Sequence, residues 1–183
     1  MSRRLKCLAS FVLLVLICAG PAAAEWRGLS LGLRASHDVG SPFVSGTESG
    51  TGGGAFVRGS VGGDEVEWQF GAELDIAGYT GEGDADPIAQ LTGNVARRAW
   101  LGRRDASTRG FWSLGAGAGI VAIAGSAAAF PLQLKLGVAL GRGQTVGVEL
   151  AAVERLTLVV TEGDPGVEPI NGLGLELAIR LGR

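Results

Sequence analysis

His37 is the single histidine of the chain, and Asp38, Ser41 and Ser45 follow it closely. An imidazole beside a carboxylate and a hydroxyl is the equipment of nucleophilic acyl chemistry. His37 would be the general base, Ser41 or Ser45 the nucleophile, and Asp38 the group that orients the ring. Spacing this short, in a polar stretch without periodicity, gives the three side chains no common rigid frame, and a structural histidine is the simpler reading. A second group is rich in oxygen. Glu82, Asp84 and Asp86 alternate in one polar segment, and Glu162, Asp164 and Glu168 stand in another. Clustered hard oxygens suit calcium or magnesium, although acidic loops also stand well solvated without an ion. Gly52-Gly53-Gly54 and the Gly-Ala-Gly-Ala-Gly run from Gly115 to Gly119 belong to strands and turns. No lysine follows either run and no helix begins there, so no phosphate cradle forms. No cofactor is implied.

The most ordered chemistry-bearing residues are charges that recur with period two. From Glu65 to Gly78, Val66, Trp68, Phe70, Ala72, Leu74 and Ile76 share one parity, and Glu65, Glu67, Gln69, Glu73 and Asp75 share the other. An extended chain sends alternate side chains to opposite faces, so this segment is a ribbon with an apolar face and a charged face. A helix with the same residues would have no continuous apolar stripe. Across the chain the polar parity carries six carboxylates, Glu65, Glu67, Glu73, Asp75, Glu149 and Glu176, and six cations, Arg34, Arg58, Arg98, Lys135, Arg155 and Arg180.

Eight alternating segments position these groups. They cover Leu29 to Ser36, Ala55 to Val61, Glu65 to Gly78, Ile88 to Leu101, Phe111 to Ala122, Phe130 to Leu140, Thr145 to Ala152 and Leu173 to Leu181. Most approach or exceed the roughly 10 residues that a tilted strand needs to cross a bilayer, whereas strands of soluble proteins cluster near 5 or 6. The connections alternate in length. Gly62-Gly63-Asp64, Arg103 to Arg109 and Gly141-Arg142-Gly143 are the shorter set. His37 to Gly54, Thr80 to Pro87 and Thr161 to Pro169 are the longer set, with a short exception at Gly125 to Ala127.

The first residues read differently. Arg3, Arg4 and Lys6 precede an apolar run from Leu8 to Ala19, and Pro21-Ala22-Ala23-Ala24 supplies small residues for cleavage. This predicts a secretory signal peptide over 1–24, with the domain proper over 25–183. The apolar core is too short for a spanning helix of about 20 residues. Both cysteines, Cys7 and Cys18, lie in this segment, so the remaining chain holds no disulfide. With the segment go three of the 16 basic residues and none of the 18 acidic ones, which leaves a mildly acidic domain with no basic stripe for nucleic acid.

An exported, cysteine-free, alternating chain is either an outer-membrane barrel or a soluble periplasmic β protein. Strand length and loop asymmetry favour an all-β, eight-stranded antiparallel up-and-down transmembrane β-barrel in the cell outer membrane. Short turns would face the periplasm and long loops the exterior. Trp26, Trp68, Trp100 and Trp112 fall near the predicted periplasmic strand ends, and Tyr79 and Phe130 near the outer ends, as interface aromatics. Trp100 shares the parity of Arg98, so it requires a bulge or an inward ring. The lumen of so narrow a barrel is filled by side chains, and buried charges must pair. The expected interior is therefore a non-conducting set of ion pairs among Arg34, Arg58, Glu67, Glu73, Asp75, Arg98, Lys135, Glu149, Glu176 and Arg180. The inward glycines Gly115, Gly117 and Gly119 would leave room for the long arginines and glutamates.

In this pattern the chain resembles the small eight-stranded outer-membrane barrels of the OmpA and OmpX type over essentially all of 25–183. The resemblance implies a narrow barrel assembled by the outer-membrane insertion machinery, in contact with outer-membrane lipid and lipopolysaccharide, with its variable chemistry and any protein partner at the external loops. Two features depart from it: the chain ends Leu181-Gly182-Arg183 where such barrels end in an aromatic residue, and Glu154 sits on the apolar parity. Either a bulge intervenes or Glu154 lies at the outer rim. Small barrels that act on lipid A use a histidine, a serine and an acid at that rim, so a lipid A acyl hydrolase or transferase using His37 is the enzyme alternative. The acidic loops would then be places for a divalent cation bridging to lipopolysaccharide phosphates. A soluble lipocalin-like binder of an apolar ligand is the other alternative, and it requires the apolar parity to face inward.

Overall fold

The alternating segments become eight strands: β1 (Glu25–Val39), β2 (Ser49–Gly62), β3 (Val66–Thr80), β4 (Ile88–Leu101), β5 (Thr108–Ile123), β6 (Gly125–Leu140), β7 (Val146–Thr161) and β8 (Glu168–Leu181). The computed structural model describes residues 25–39, 49–80, 87–104, 106–123, 125–141, 144–161 and 168–182. Each strand pairs antiparallel with the next, and β8 pairs with β1, so the sheet closes into a barrel. Following paired residues from Leu29 once around the wall returns to β1 at Val39, ten residues further along. Eight strands with a stagger of this kind tilt by about 35–45° to the barrel axis.

Burial alternates along every strand, and its sense is inverted relative to a soluble protein. Leu33, Leu74, Leu114, Leu136, Leu150 and Leu177 are exposed, whereas Arg34, Glu73, Arg98, Lys135, Glu149 and Glu176 are buried. The apolar parity therefore forms the outer surface, and the lipocalin-like arrangement, with the apolar residues lining a cavity, is not the one adopted.

Several strands outrun their sequence-predicted bounds. β1 continues to Val39, β2 begins at Ser49, β6 begins at Gly125, β7 continues to Thr161 and β8 begins at Glu168. In β2 and β6 the alternation is masked there by small residues. Gly52-Gly53-Gly54 lies within β2, where a Cβ on Gly54 would come within 2.1 Å of Asp75 Oδ1. Glycine is there because the carboxylate fills the space. The connection expected at Gly125 to Ala127 is tighter still, since Ile123 already pairs with Gly125.

One irregularity sets the position of Trp26. The register of β1 against β2 shifts between Trp26 and Gly28, and Gly28 has a φ of 140°. A Cβ at Gly28 would meet the carbonyl oxygen of Leu181 at 2.3 Å, so both backbone angle and space select glycine. This bulge inverts the parity of the residues before it, and Trp26 faces outward although its numbering places it with the inward Ser30.

Candidate functional site

All ten interior residues read from parity are buried, and they divide into two groups along the barrel axis. In the larger group four cations, Arg34, Arg58, Lys135 and Arg155, meet four carboxylates, Asp38, Glu73, Asp75 and Glu176. Arg34 donates to Asp75 at 2.6 Å, to Glu73 at 3.0 Å and to Glu176 at 3.2 Å. Arg58 bridges Glu73 at 2.6 Å and Glu176 at 2.7 Å, and Lys135 Nζ donates to Glu176 at 3.0 Å. Gln133 adds a neutral donor to Glu73 at 2.7 Å. Arg155 holds Asp75 at 2.7 Å and stands 3.9 Å from Asp38.

The smaller group lies toward the end that carries the start of β1 and the end of β8. Arg98 grips Glu149 with two parallel bonds of 2.6 and 2.9 Å, a fork that fits guanidinium to carboxylate. Arg180 binds Glu67 at 2.9 Å and Glu149 at 3.3 Å. Each group is balanced in sign, two against two here. Balance of this kind offsets the several kcal/mol that an unpaired charge so enclosed would cost. Glu65, read with this set from its parity, lies outside it. β3 begins one residue later, and Glu65 sits in the exposed turn 2.5 Å from Arg104. Asp38 takes its place in the count.

Buried apolar clusters, which parity alone does not predict, lie toward both ends of the lumen. At the end toward the longer connections, Ala77, Ile88, Val121, Ala127, Ala129, Val159 and Ile170 form a buried cluster. At the opposite end Trp100 and Phe111 meet edge to face, with ring centroids 5.6 Å apart, backed by Ala139 and Ala151. The Arg98 guanidinium lies 3.9 Å from the Phe111 ring centre and 5.2 Å from that of Trp100, a favourable placement of cation over π face. Arg109, also buried, donates to the backbone carbonyls of Leu101 and Asp64. Trp100 is therefore part of this plug and not an interface aromatic. No bulge displaces it, since its register with Phe111 is regular.

Inward glycines decide which large side chains fit. A Cβ on Gly71 would stand 2.7 Å from Arg58 Cγ, and one on Gly32 would stand 2.4 Å from the Phe56 ring. At Gly115, Gly117 and Gly119 the atoms nearest to an added Cβ belong to the adjacent strand β4 and not to an arginine or glutamate. These glycines lie under Ala96, Asn94 and Thr92, the neighbours across the β4–β5 pair.

On the outer wall, Trp26, Trp68 and Trp112 stand near the end that carries the termini, and Phe130 stands toward the other end, half-buried. Arg97 is outward and exposed beside Trp68, its cross-strand partner. Glu154 is outward and exposed in the middle of β7, between Leu134 and Leu173, in unbroken register. Neither the bulge nor the rim position expected for Glu154 is present.

Asp38 is not placed to orient His37 as the catalytic arrangement requires. His37 is exposed on the outer wall, while the next residue, Asp38, is buried in the lumen near Arg155. Adjacent residues of a strand point to opposite faces, so Asp38 cannot orient the His37 ring. Ser41, Ser45, Glu82, Asp84, Asp86, Glu162 and Asp164, the side chains of Tyr79 and Glu168, and the signal segment 1–24 lie outside the described residues. Among the described residues no group of three acidic, histidine or cysteine side chains is placed to hold a metal ion.

No protein-family model matches the sequence, and no curated protein matches it. Solved structures do. Neisserial surface protein A superposes with a TM-score of 0.59 at 11% identity, over 87% of this chain and 99% of that one. The outer membrane protein OprG of Pseudomonas aeruginosa gives 0.47 at 13% identity, over 86% and 96%. The N-terminal β-barrel domain of Pseudomonas aeruginosa OprF gives 0.40 at 12% identity, over 84% and 99%. The likeness to the neisserial protein, over nearly the whole of both chains, makes the fold that of the small eight-stranded outer-membrane barrels.

Proposed function

We propose that the protein is exported by cleavage of residues 1–24 and spans the outer membrane as a non-conducting barrel. It serves membrane integrity or surface interaction through its wall and its external loops. The observation that carries this reading is the inverted burial of a closed barrel, with a leucine-rich exterior around paired charges. In water such an exterior would be a large aggregating patch; in a bilayer it is the required surface. Two balanced ionic groups between an apolar layer and an aromatic layer support a lumen closed to ions. The insertion machinery of the outer membrane would assemble it, with lipid and lipopolysaccharide as its surroundings and the short turns at the periplasmic side.

The test combines fractionation, gel mobility and conductance. The folded chain should appear in the outer-membrane fraction and migrate differently in SDS before and after boiling. In a planar bilayer it should give no stepwise conductance. Recovery in the soluble periplasm without a mobility shift would overturn the membrane assignment, and steady unitary currents would overturn the closed lumen. The enzyme reading with His37 is not favoured, because His37 and Asp38 face opposite sides of the wall and the orienting acid is lost to it.

A further inference from the structure

We infer that the protein forms a two-fold symmetric dimer in the membrane through the wall centred on β8, sealed by reciprocal contacts between Glu154 of one copy and His37 of the other. This rests on the membrane-spanning reading above. Glu154 pairs with Leu173 on β8, and Leu173 pairs with His37 on β1, so the three lie in one row on the outer face. Both polar side chains are exposed there, and neither has a hydrogen bond or ion pair among the described residues. Between them runs a ridge of exposed apolar residues, Leu173, Leu175, Leu177 and Ile179, of which Leu173 is 67% exposed.

Complementarity follows from the symmetry. A two-fold axis parallel to the barrel axis and passing beside Leu173 sets β7 of one copy against β1 of the other. Isologous contacts come in pairs, so one Glu154–His37 contact entails its twin. Two strand spacings of about 4.8 Å, tilted by about 40°, place His37 roughly 6 Å nearer the loop end than Glu154. The rotation preserves that height and brings each carboxylate to the same lateral position as the other copy's imidazole. A glutamate and a histidine side chain together span that offset. The contact gives a carboxylate in the middle of an apolar wall a hydrogen-bond donor that lipid chains do not supply. Arg97, the other outward charge noted above, has no part in this contact. It stands beside Trp68, near the end that carries the termini, where lipid headgroups suffice for it.

The experiment is thiol cross-linking of the full chain in a Cys7→Ser, Cys18→Ser background, reconstituted in phospholipid vesicles at high lipid dilution. A short bis-maleimide is the probe. Leu173→Cys sits at the proposed axis, and Leu91→Cys, equally outward on β4, serves as the control on the far wall. Leu173→Cys should give mostly cross-linked dimer and Leu91→Cys background only. Adding His37→Glu to Leu173→Cys, which opposes two carboxylates, should lower the cross-linked fraction at least threefold, and adding Glu154→His to that variant should restore it. Equal cross-linking on both walls, monomer alone, or no response to His37→Glu would overturn the dimer. Boiling-dependent mobility of each variant establishes separately that the barrel has formed, so a failed dimer and a failed membrane assignment are told apart.

Discussion

Removing one negative charge from the smaller ionic group gives a sharp prediction. Glu149→Gln keeps the shape of the side chain and leaves Arg98, 1% exposed, facing a neutral amide at the place of its two bonds of 2.6 and 2.9 Å. Arg180 keeps Glu67 but loses its second carboxylate at 3.3 Å. Breaking a buried pair from one side costs about 3–5 kcal/mol, since the remaining charge stays desolvated. That corresponds to a fall of roughly two to four decades in the folding equilibrium constant. Replacing both partners, Arg98→Leu with Glu149→Leu, removes the stranded charge and should recover most of the loss, because buried pairs often exchange for apolar residues at little net cost. Urea titration of the barrel refolded in detergent, followed by tryptophan fluorescence and by unboiled gel mobility, measures both variants. A loss below about 1 kcal/mol for Glu149→Gln, or a double variant no better than the single one, would refute the argument that sign balance holds the lumen together.

The inward glycines predict a site-specific intolerance. Gly54→Ala would force a methyl to within 2.1 Å of Asp75 Oδ1 and should lower the yield of heat-modifiable barrel, whereas Gly78→Ala, with nothing within 4 Å, should fold normally. His37→Ala should leave the lipid A acylation profile of cells unchanged by mass spectrometry, since its ring is separated from Asp38 by the wall itself; a lost acyl group would revive the catalytic reading.

The period-two pattern of β3 revealed the fold because every large residue in it obeys the parity, from Val66 to Ile76. Parity assigned Arg34, Arg58, Glu73 and Glu176 to one face, but partners that meet across the lumen are 15 to 142 residues apart and depend on the register of eight strands. Asp38 reads as a partner of His37 because sequence adjacency suggests proximity, although in a strand it means opposite faces. Trp100 and Trp26 show the two ways in which parity misleads. Trp100 follows its parity into the lumen against the usual preference of indole for the interface, and Trp26 escapes its parity through a bulge at Gly28 that only the register displays. The apolar layer of Ala77, Ile88, Val121 and Ile170 was hidden because apolar residues on the inward parity break the alternation that defines a strand by eye.

The interior charges also bear on how the chain could reach its membrane. From Gly110 to Leu134 the sequence has no formal charge, and Lys135 is the first one after Arg109. A strand that faces lipid on one side and a packed lumen on the other could in principle be apolar on both, and it would then read as a spanning helix of about 20 residues. Gln133 and Lys135 interrupt such a run inside β6 while meeting Glu73 and Glu176 in the folded barrel. Gln133→Leu with Lys135→Leu would leave the stretch up to Arg142 without a charge and with five consecutive leucines from 132 to 136. If the chain is exported to the outer membrane, this variant should be arrested in part in the inner membrane, detected by density fractionation. Arg98→Leu with Glu149→Leu, which also removes two lumenal charges but creates no long apolar run, should pass through. Equal export of both variants would mean that the lumenal charges serve the folded barrel alone.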